Sequence, residues 1–266
     1  MRPVPVDDAT PLAPLDFLPP RTWLRDERDA RHYTRLTLSL VSVLYAALAI
    51  ALAGWMPATW LWLIVPLVYL RLALALHELL HVCPAESVPA FHRLTLLFES
   101  PLALGYREHR AIHFAHHRFT ATDHDPEQYQ IVGGPVRAFL MALISPEHAL
   151  VRWIRTYGFS STLIREAAIR AVLFVAVAAI APRVFLVYWL ALRVSVGIAS
   201  FVFHHVLHNH QGELGTFRLP GSPWFLRLLA AAFGREALTI LTEHERHHLW
   251  PRVRARDLPL LPVPHA

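Results

Sequence analysis

A stretch of the chain without a single charged side chain, residues 36–55, limits what this protein can fold into. At a rise of about 1.5 Å per residue, a helix of that length crosses the ~30 Å hydrocarbon core of a bilayer. Similar apolar stretches occupy 60–80, 167–181 and 184–206, although each contains one arginine. The sequence therefore predicts an all-α polytopic membrane protein with four spans, at about these positions, arranged as two helical hairpins.

The composition agrees with membrane spans. Hydrophobic residues make up 55% of the chain and charged residues 17%, which is more apolar than an ordinary soluble domain. The single cysteine, Cys83, excludes an intrachain disulfide and a cysteine-rich metal site.

The arginines predict the topology. All basic residues are arginine, and they concentrate in the N-terminal segment and in residues 82–165 and 207–266. The positive-inside rule places both termini and both large polar segments in the cytosol. Lysine-free, alanine-rich usage is typical of a bacterial protein, so we expect the bacterial inner membrane. The arginines form no stripe with interleaved aromatic residues, and no nucleic-acid partner is predicted.

The expected domain organisation is simple. Residues 1–35 form a proline-rich and then charged cytosolic tail, residues 36–260 form one membrane domain, and residues 261–266 form a short C-terminal tail. A cytosolic helical cap between and after the hairpins is expected to hold the polar segments.

Histidine is the unusual residue type, with 18 copies. His77 and His81 are four residues apart and share one helical face. Two further segments repeat the spacing i, i+3, i+4, which also places three side chains on one face. They contain His113, His116 and His117, and His244, His247 and His248.

A fourth histidine group follows the last apolar stretch and contains His204, His205, His208 and His210. His204 and His208 share a helical face. Ionisable residues at the end of a span are costly to bury, which makes them candidates for a functional site.

These spacings indicate a metal site with two ions. Imidazole nitrogen binds zinc, iron, copper and nickel, but a catalytic zinc uses about three protein ligands. Two pairs and two triplets are too many for one zinc and suit two metals with four or five ligands each. Two redox-active irons could use O₂ to attack an alkyl C–H bond, which zinc, having no redox chemistry, cannot do. The carboxylates close enough in sequence to orient the ligands are Glu78, Asp123, Asp125, Glu243 and Glu245.

The order H-x-x-x-H, H-x-x-H-H, H-x-x-H-H, with a helical hairpin between the second and third motifs, resembles the membrane fatty acid desaturase superfamily. The supporting residues are His113–Thr120 followed by Asp125 and Pro126, and His247–Pro251 followed by Leu258 and Pro259. The resemblance covers roughly residues 36–260.

The resemblance implies a non-haem di-iron centre, O₂ as co-substrate and a lipid-like substrate. It implies no catalytic side chain beyond the metal ligands. By position those ligands are His77, His81, His113, His116, His117, His244, His247 and His248. His208 is the preferred extra ligand, ahead of His205 and His210. His204 and His109 are candidates for an additional or water-mediated contact, and Asp125, Glu78 and Glu243 for contacts that orient ligands. Electrons are expected from a separate carrier such as a ferredoxin.

Three alternatives remain at this stage. A carotenoid ketolase or hydroxylase of the same superfamily would use the same histidines. An intramembrane zinc protease would use His77, His81 and the intervening Glu78 as general base. A metal-binding or transport protein without enzymatic activity would place its ligands near the middle of the bilayer, whereas these histidines lie at predicted span ends.

Overall fold

A computed structural model of the chain describes residues 17–96, 99–120, 122–208 and 223–262. Residues 1–16 of the predicted N-terminal tail, the last four residues of the predicted C-terminal tail and the candidate ligand His210 lie outside these ranges. The described residues form helices and no β-strand, apart from one isolated antiparallel bridge between Leu24 and Val253. The prediction of an all-α protein is confirmed.

Twelve α-helices lie within the described ranges. They are α1 Glu27–Leu52, α2 Leu61–Val82, α3 Ala90–Leu96, α4 Tyr106–Phe119, α5 Gln128–Ile131, α6 Pro135–Leu143, α7 Ser145–Tyr157, α8 Ser161–Ile180, α9 Pro182–Ser200, α10 Pro223–Phe233, α11 Arg235–Thr242 and α12 His244–Leu249. A π-helical turn, Phe201–Val206, continues α9, and short 3₁₀ turns include Ala85–Ser87 and Ala255–Leu260.

Among the described residues, three helices are long and apolar enough to cross a membrane: Glu27–Leu52, Ala58–Val82 and Pro182–Val206. They correspond to the predicted spans at 36–55, 60–80 and 184–206. The predicted span at 167–181 lies in α8, a 20-residue helix that is not among the three. Its first half carries Arg165, Glu166 and Arg170, which lower its apolar character.

The first helix begins earlier than the apolar stretch. The Asp26 side chain accepts hydrogen bonds from the backbone N–H groups of Arg28 and Asp29, at 2.7 and 3.2 Å. The Asp29 carboxylate in turn accepts from the backbone N–H of Asp26 at 2.8 Å. This capping box satisfies N–H groups that a helix start leaves unpaired. The predicted tail at 1–35 therefore ends in nine helical residues, because capping and not hydrophobicity sets the start.

The core lies between α1, α2 and α9. Val41, Leu44 and Leu48 of α1 recur at helical spacing and are buried. Leu61 and Val65 of α2 are fully buried in the same cluster. The outward faces stay apolar: Leu63 and Leu67 of α2 and Val172 and Val175 of α8 are exposed, among others. Exposed apolar surface of this extent is what a helix bundle presents to lipid.

The two ends of the described chain meet. The backbone N–H of Arg25 donates to the carbonyl of Arg252 at 2.9 Å, beside the bridge between Leu24 and Val253. Arg254 forms ion pairs with Asp26 and Asp29, at 2.6 and 2.9 Å. The segment before α1 and the segment after α12 thereby pack together over the end of α2.

Candidate metal centre

Nine of the predicted histidines come from four places in the fold. His77 and His81 lie in the last turns of α2, and His113, His116 and His117 lie on one face of α4. His244, His247 and His248 lie on α12. His208 follows the π-helical turn at the end of α9, where one extra residue in the turn changes which side chains face inward.

Five imidazoles form a first group. One ring nitrogen from each lies within 4.8 Å of a nitrogen of every other member. The Nε2 atoms of His81 and His113 are only 2.8 Å apart. The five members are His77, His81, His113, His117 and His247.

Four imidazoles form a second group. His116, His208 and His248 offer ring nitrogens within 4.8 Å of one another. His244 joins them, because its Nε2 lies 3.1 Å from Nε2 of His248 and 3.4 Å from Nε2 of His208. The groups adjoin: the rings of His117 and His248 stack with centroids 4.2 Å apart. The structure thus brings together all nine residues proposed as ligands, divided five and four.

The rings suit metal binding rather than mutual hydrogen bonding. Both ring nitrogens of His117 and both of His247 lack a hydrogen-bond partner within the described part of the chain. Leaving a buried polar nitrogen unpaired costs about 1–3 kcal/mol, which a metal bond removes. Burial lowers the pKa of His117, His247 and His248 well below the usual value, and neighbouring histidines lower it further. The rings are therefore neutral, which is the form that binds a metal.

Polar partners behind the rings hold three ligands in orientation. Asp125 lies 2.9 Å from Nδ1 of His116, and Glu78 lies 3.3 Å from Nδ1 of His77. The Thr120 hydroxyl lies 2.9 Å from Nδ1 of His248. Each contact occupies Nδ1 and leaves Nε2 for the metal, the usual arrangement behind a metal-binding imidazole.

The other carboxylates named from the sequence are placed differently. Glu243 forms an ion pair with Arg246, three residues further along. Asp123 accepts a hydrogen bond from the side-chain amide of Gln128 at 2.9 Å. Of the carboxylates expected to orient ligands, Asp125 and Glu78 are those that contact a histidine ring at hydrogen-bond distance.

The remaining candidate histidines lie beside the two groups. Nδ1 of His204 lies 2.8 Å from the Ser200 carbonyl, and its Nε2 lies 3.2 Å from Glu127. Nδ1 of His205 donates to the carbonyl of Ile131 at 2.9 Å. His109 lines a cavity next to the centre. Of the four candidates at the end of α9, His208 is the one that the described structure places in a group.

Sequence reasoning missed three residues that contact the centre or its supports. Glu127 is held between His204 and His116, with its Oε2 4.0 Å from Nδ1 of His116. Thr120 supports His248. Arg25 forms a buried two-pronged ion pair with Glu78, and its Nε donates to the carbonyl of Val253 at 3.1 Å. Two of them carried a sequence signal, since Glu127 directly follows Asp125 and Pro126 and Thr120 ends the second histidine motif, whereas Arg25 carried none.

A cavity of about 140 Å³ opens against both histidine groups. His77 and His113 of the first group and His116, His244 and His248 of the second line one part of it. Away from the histidines the walls are mostly apolar, with Leu76, Ile112 and Val196 among them, and they come from α2, α4, α5, α7 and α9 and the segment before α4. The mostly apolar lining suits an apolar chain lying beside the histidine groups.

Comparison with known proteins identifies a family. A model of the family described as fatty acid desaturase matches residues 53–263, which include every histidine of the two groups. No curated protein matches the chain, and no solved structure does.

Proposed function

The chain belongs to the fatty acid desaturase family, and from this premise we propose that it is a di-iron oxidoreductase that attacks an unactivated C–H bond of a lipid-like acyl chain. One observation carries the proposal: nine imidazoles, eight of them buried and that of His81 partly buried, lie in two adjoining groups next to a largely apolar cavity. The family and the apolar helices make the chain a membrane protein of the desaturase and hydroxylase class.

The residues that would hold the metals follow from the two groups. The five-histidine group would bind one iron, and the four-histidine group would bind the other. Two irons bound there would supply the means to use O₂ against a C–H bond. The chain itself contributes neutral ligands, a water-poor setting and rigid orientation through Asp125, Glu78 and Thr120.

The cavity would position the substrate. An extended apolar chain lying along α2 passes His77 and reaches the wall formed by α9. Desaturation and hydroxylation start with removal of the same hydrogen, and they differ in whether a second hydrogen is lost or oxygen is added. We propose desaturation as the reaction, with hydroxylation and carotenoid ketolation as the alternatives within the family.

The fourth span and the orientation are part of this proposal. α8 exposes Val172, Val175 and Ile180, so its second half presents an apolar face outward that suits lipid. With α8 crossing the bilayer beside α9, both termini and the histidine centre would face the cytosol, and a bacterial inner membrane would suit the arginine usage. A separate small redox protein such as a ferredoxin would deliver electrons from that side.

The zinc protease alternative is disfavoured by one contact. Glu78 would have to act as a general base, yet both of its carboxylate oxygens are bound by the guanidinium group of Arg25. His77 and His81 also lie among three further imidazoles, which exceeds the ligand set of one catalytic zinc.

Elemental analysis of the gently purified protein tests the metal, and lipid analysis tests the reaction. We expect about two irons per chain, as the two groups imply. We also expect new double bonds or hydroxyl groups in lipids supplied with O₂ and a reducing ferredoxin system. Protein that takes up one zinc, and that gains no activity after iron loading, would contradict the proposal.

A further inference from the structure

A buried glutamate lies in the wall of the same cavity, away from the histidine groups. Glu99 is 8% exposed, and its Oε2 atom has no hydrogen-bond partner among the described residues. Burying a carboxylate oxygen without a partner is unfavourable. An ionisable group buried beside apolar spans is expected to serve a function.

Glu99 lies where the cavity adjoins a second void. Tyr69 and His77 both line the cavity from α2 and are eight residues apart, which corresponds to about 12 Å along a helix. Tyr69 and Glu99 also line a second, much smaller void that continues between α1, α2 and α9. These two residues therefore separate the cavity from the space behind it, at a distance from the metal centre.

On the side formed by α2 and the segment before α4, the cavity wall offers few hydrogen bonds, whereas Gln130, Ser145 and Ser200 line it elsewhere. Ala73, Leu76 and Leu80 of α2 line it, together with Ala103 and Leu104 of the segment before α4. A chain that extends from the histidines toward Glu99 would contact apolar side chains and then meet a carboxyl group. A plain methyl terminus there would leave Oε2 unpaired, whereas a polar terminus would pair with it.

The charges around Glu99 narrow the choice of polar group. Arg170 is fully buried and donates to the Ala103 carbonyl at 2.6 Å, and Arg193 pairs with Glu147 at 2.6 Å. The two guanidinium groups lower the pKa of Glu99 and the Glu147 carboxylate raises it, so the charges nearby are already of both signs and do not call for a charged ligand. Burial raises the pKa of Glu99 to about 7. A hydroxyl group can pair with Glu99 in either protonation state, because it donates to a carboxylate and accepts from a carboxylic acid.

We propose that Glu99 is a specificity-determining residue that hydrogen-bonds a hydroxyl group on the buried end of the substrate. The inference rests on the proposed function, because it takes the cavity to be the substrate site. The substrate would thus carry a hydroxyl group at the end that enters the protein, on the side of the cavity lined by Tyr69, which lies about 12 Å along α2 from the ligand His77.

Binding measured without turnover tests this inference separately from catalysis. The iron-loaded protein in lipid nanodiscs, without any electron donor, is titrated with radiolabelled hexadecanoate and with 16-hydroxyhexadecanoate. We expect the hydroxylated probe to bind about tenfold more tightly, the effect of one buried hydrogen bond to a carboxyl group. Glu99→Leu should abolish this preference by weakening the binding of the hydroxylated probe alone. Glu99→Gln, whose amide oxygen still accepts, should retain part of it.

Glu86→Leu is the matched control, because Glu86 is an exposed carboxylate that, like Glu99, lies between α2 and α4. It should keep the wild-type preference. Equal binding of the two probes by the wild-type protein would overturn the inference even if no variant folds. An equal loss of affinity for both probes in Glu99→Gln would also overturn the inference. Failure of the proposed function would appear elsewhere, as missing iron or missing lipid oxidation, and would leave the binding preference measurable.

Discussion

Oδ2 of Asp125 lies 2.9 Å from Nδ1 of His116, and Asp125 is completely buried. This contact makes Nδ1 the donor and leaves Nε2 of His116 as the nitrogen that faces the four-histidine group. We expect Asp125→Ala to lower iron affinity by about 10–100-fold, as loss of such supporting contacts does elsewhere. Iron retained against a graded chelator, measured by elemental analysis, checks this. Asp123→Ala, at an exposed neighbouring position, should behave as wild type.

The division of nine histidines into two groups predicts separable metal losses. His247→Ala removes a ligand from the five-histidine group, and His248→Ala removes one from the four-histidine group. Each variant should abolish activity and lower the iron content by about one ion per chain, while membrane insertion stays intact. His32→Ala, an exposed histidine on α1, provides the control. Full activity and full iron content in His247→Ala membranes would contradict the assignment.

The ion pair between Arg25 and Glu78 links the segment before α1 to the helix that carries His77. Both side chains are buried, so Arg25→Ala leaves an unpaired carboxylate. We expect a loss of about 3–5 kcal/mol in the free energy of unfolding, with weakened iron binding at His77. Arg28→Ala, an exposed arginine three residues away, should change stability by less than about 0.5 kcal/mol. Thermal unfolding in detergent measures both, and equal stabilities would refute a structural role for the pair.

The histidine centre was predictable from the sequence because its members are local in sequence. Three histidines at i, i+3 and i+4 must share a helical face, so α4 and α12 present them together without any knowledge of the fold. Two of the partners that orient them, Asp125 and Glu78, are also local, but Thr120 contacts His248 across 128 residues, and the support of Glu78 comes from a distant part of the chain. Arg25 meets Glu78 across 53 residues and Val253 across 228 residues. No local periodicity encodes such a contact, which is why Arg25 and Thr120 were missed.

The spans were predicted with less precision for a related reason. Hydrophobicity marks where a helix meets lipid, whereas the capping box at Asp26 decides where α1 begins. The sequence also left open whether the charged residues inside the apolar stretches could be buried within the spans. Arg193 of α9 is paired with Glu147 of α7, and Arg170 of α8 donates to the carbonyl of Ala103. The partners that make these charges tolerable become visible only when the helices are packed.

Because α6 packs closely against α9, we expect one glycine of α9 to be sensitive to substitution. A Cβ atom at Gly197 would lie 2.5 Å from Cδ2 of Leu143, which is closer than side chains approach. We expect Gly197→Ala to destabilise the protein by about 1 kcal/mol through overpacking, since the flexible and partly exposed Leu143 side chain takes up part of the clash. The double variant Gly197→Ala with Leu143→Ala should recover part of this loss. Gly134→Ala, where a Cβ atom meets nothing within 4 Å, serves as the control.

The pKa of Glu99 predicts how stability depends on pH. Burial raises this pKa from 4.5 to about 7, so between these values the folded protein keeps a proton that the unfolded chain releases. The stabilising effect is complete below pH 4.5 and is lost as the pH rises through 7, by up to about 3 kcal/mol. Glu99→Gln has no proton to lose at this position and should gain stability relative to wild type from pH 5 to pH 8. The histidine centre is common to both proteins, so its own titration cancels when their unfolding temperatures are subtracted at each pH. A difference that stays constant over this range, or that changes in the opposite direction, would show that Glu99 is charged throughout and that its buried oxygen has a partner.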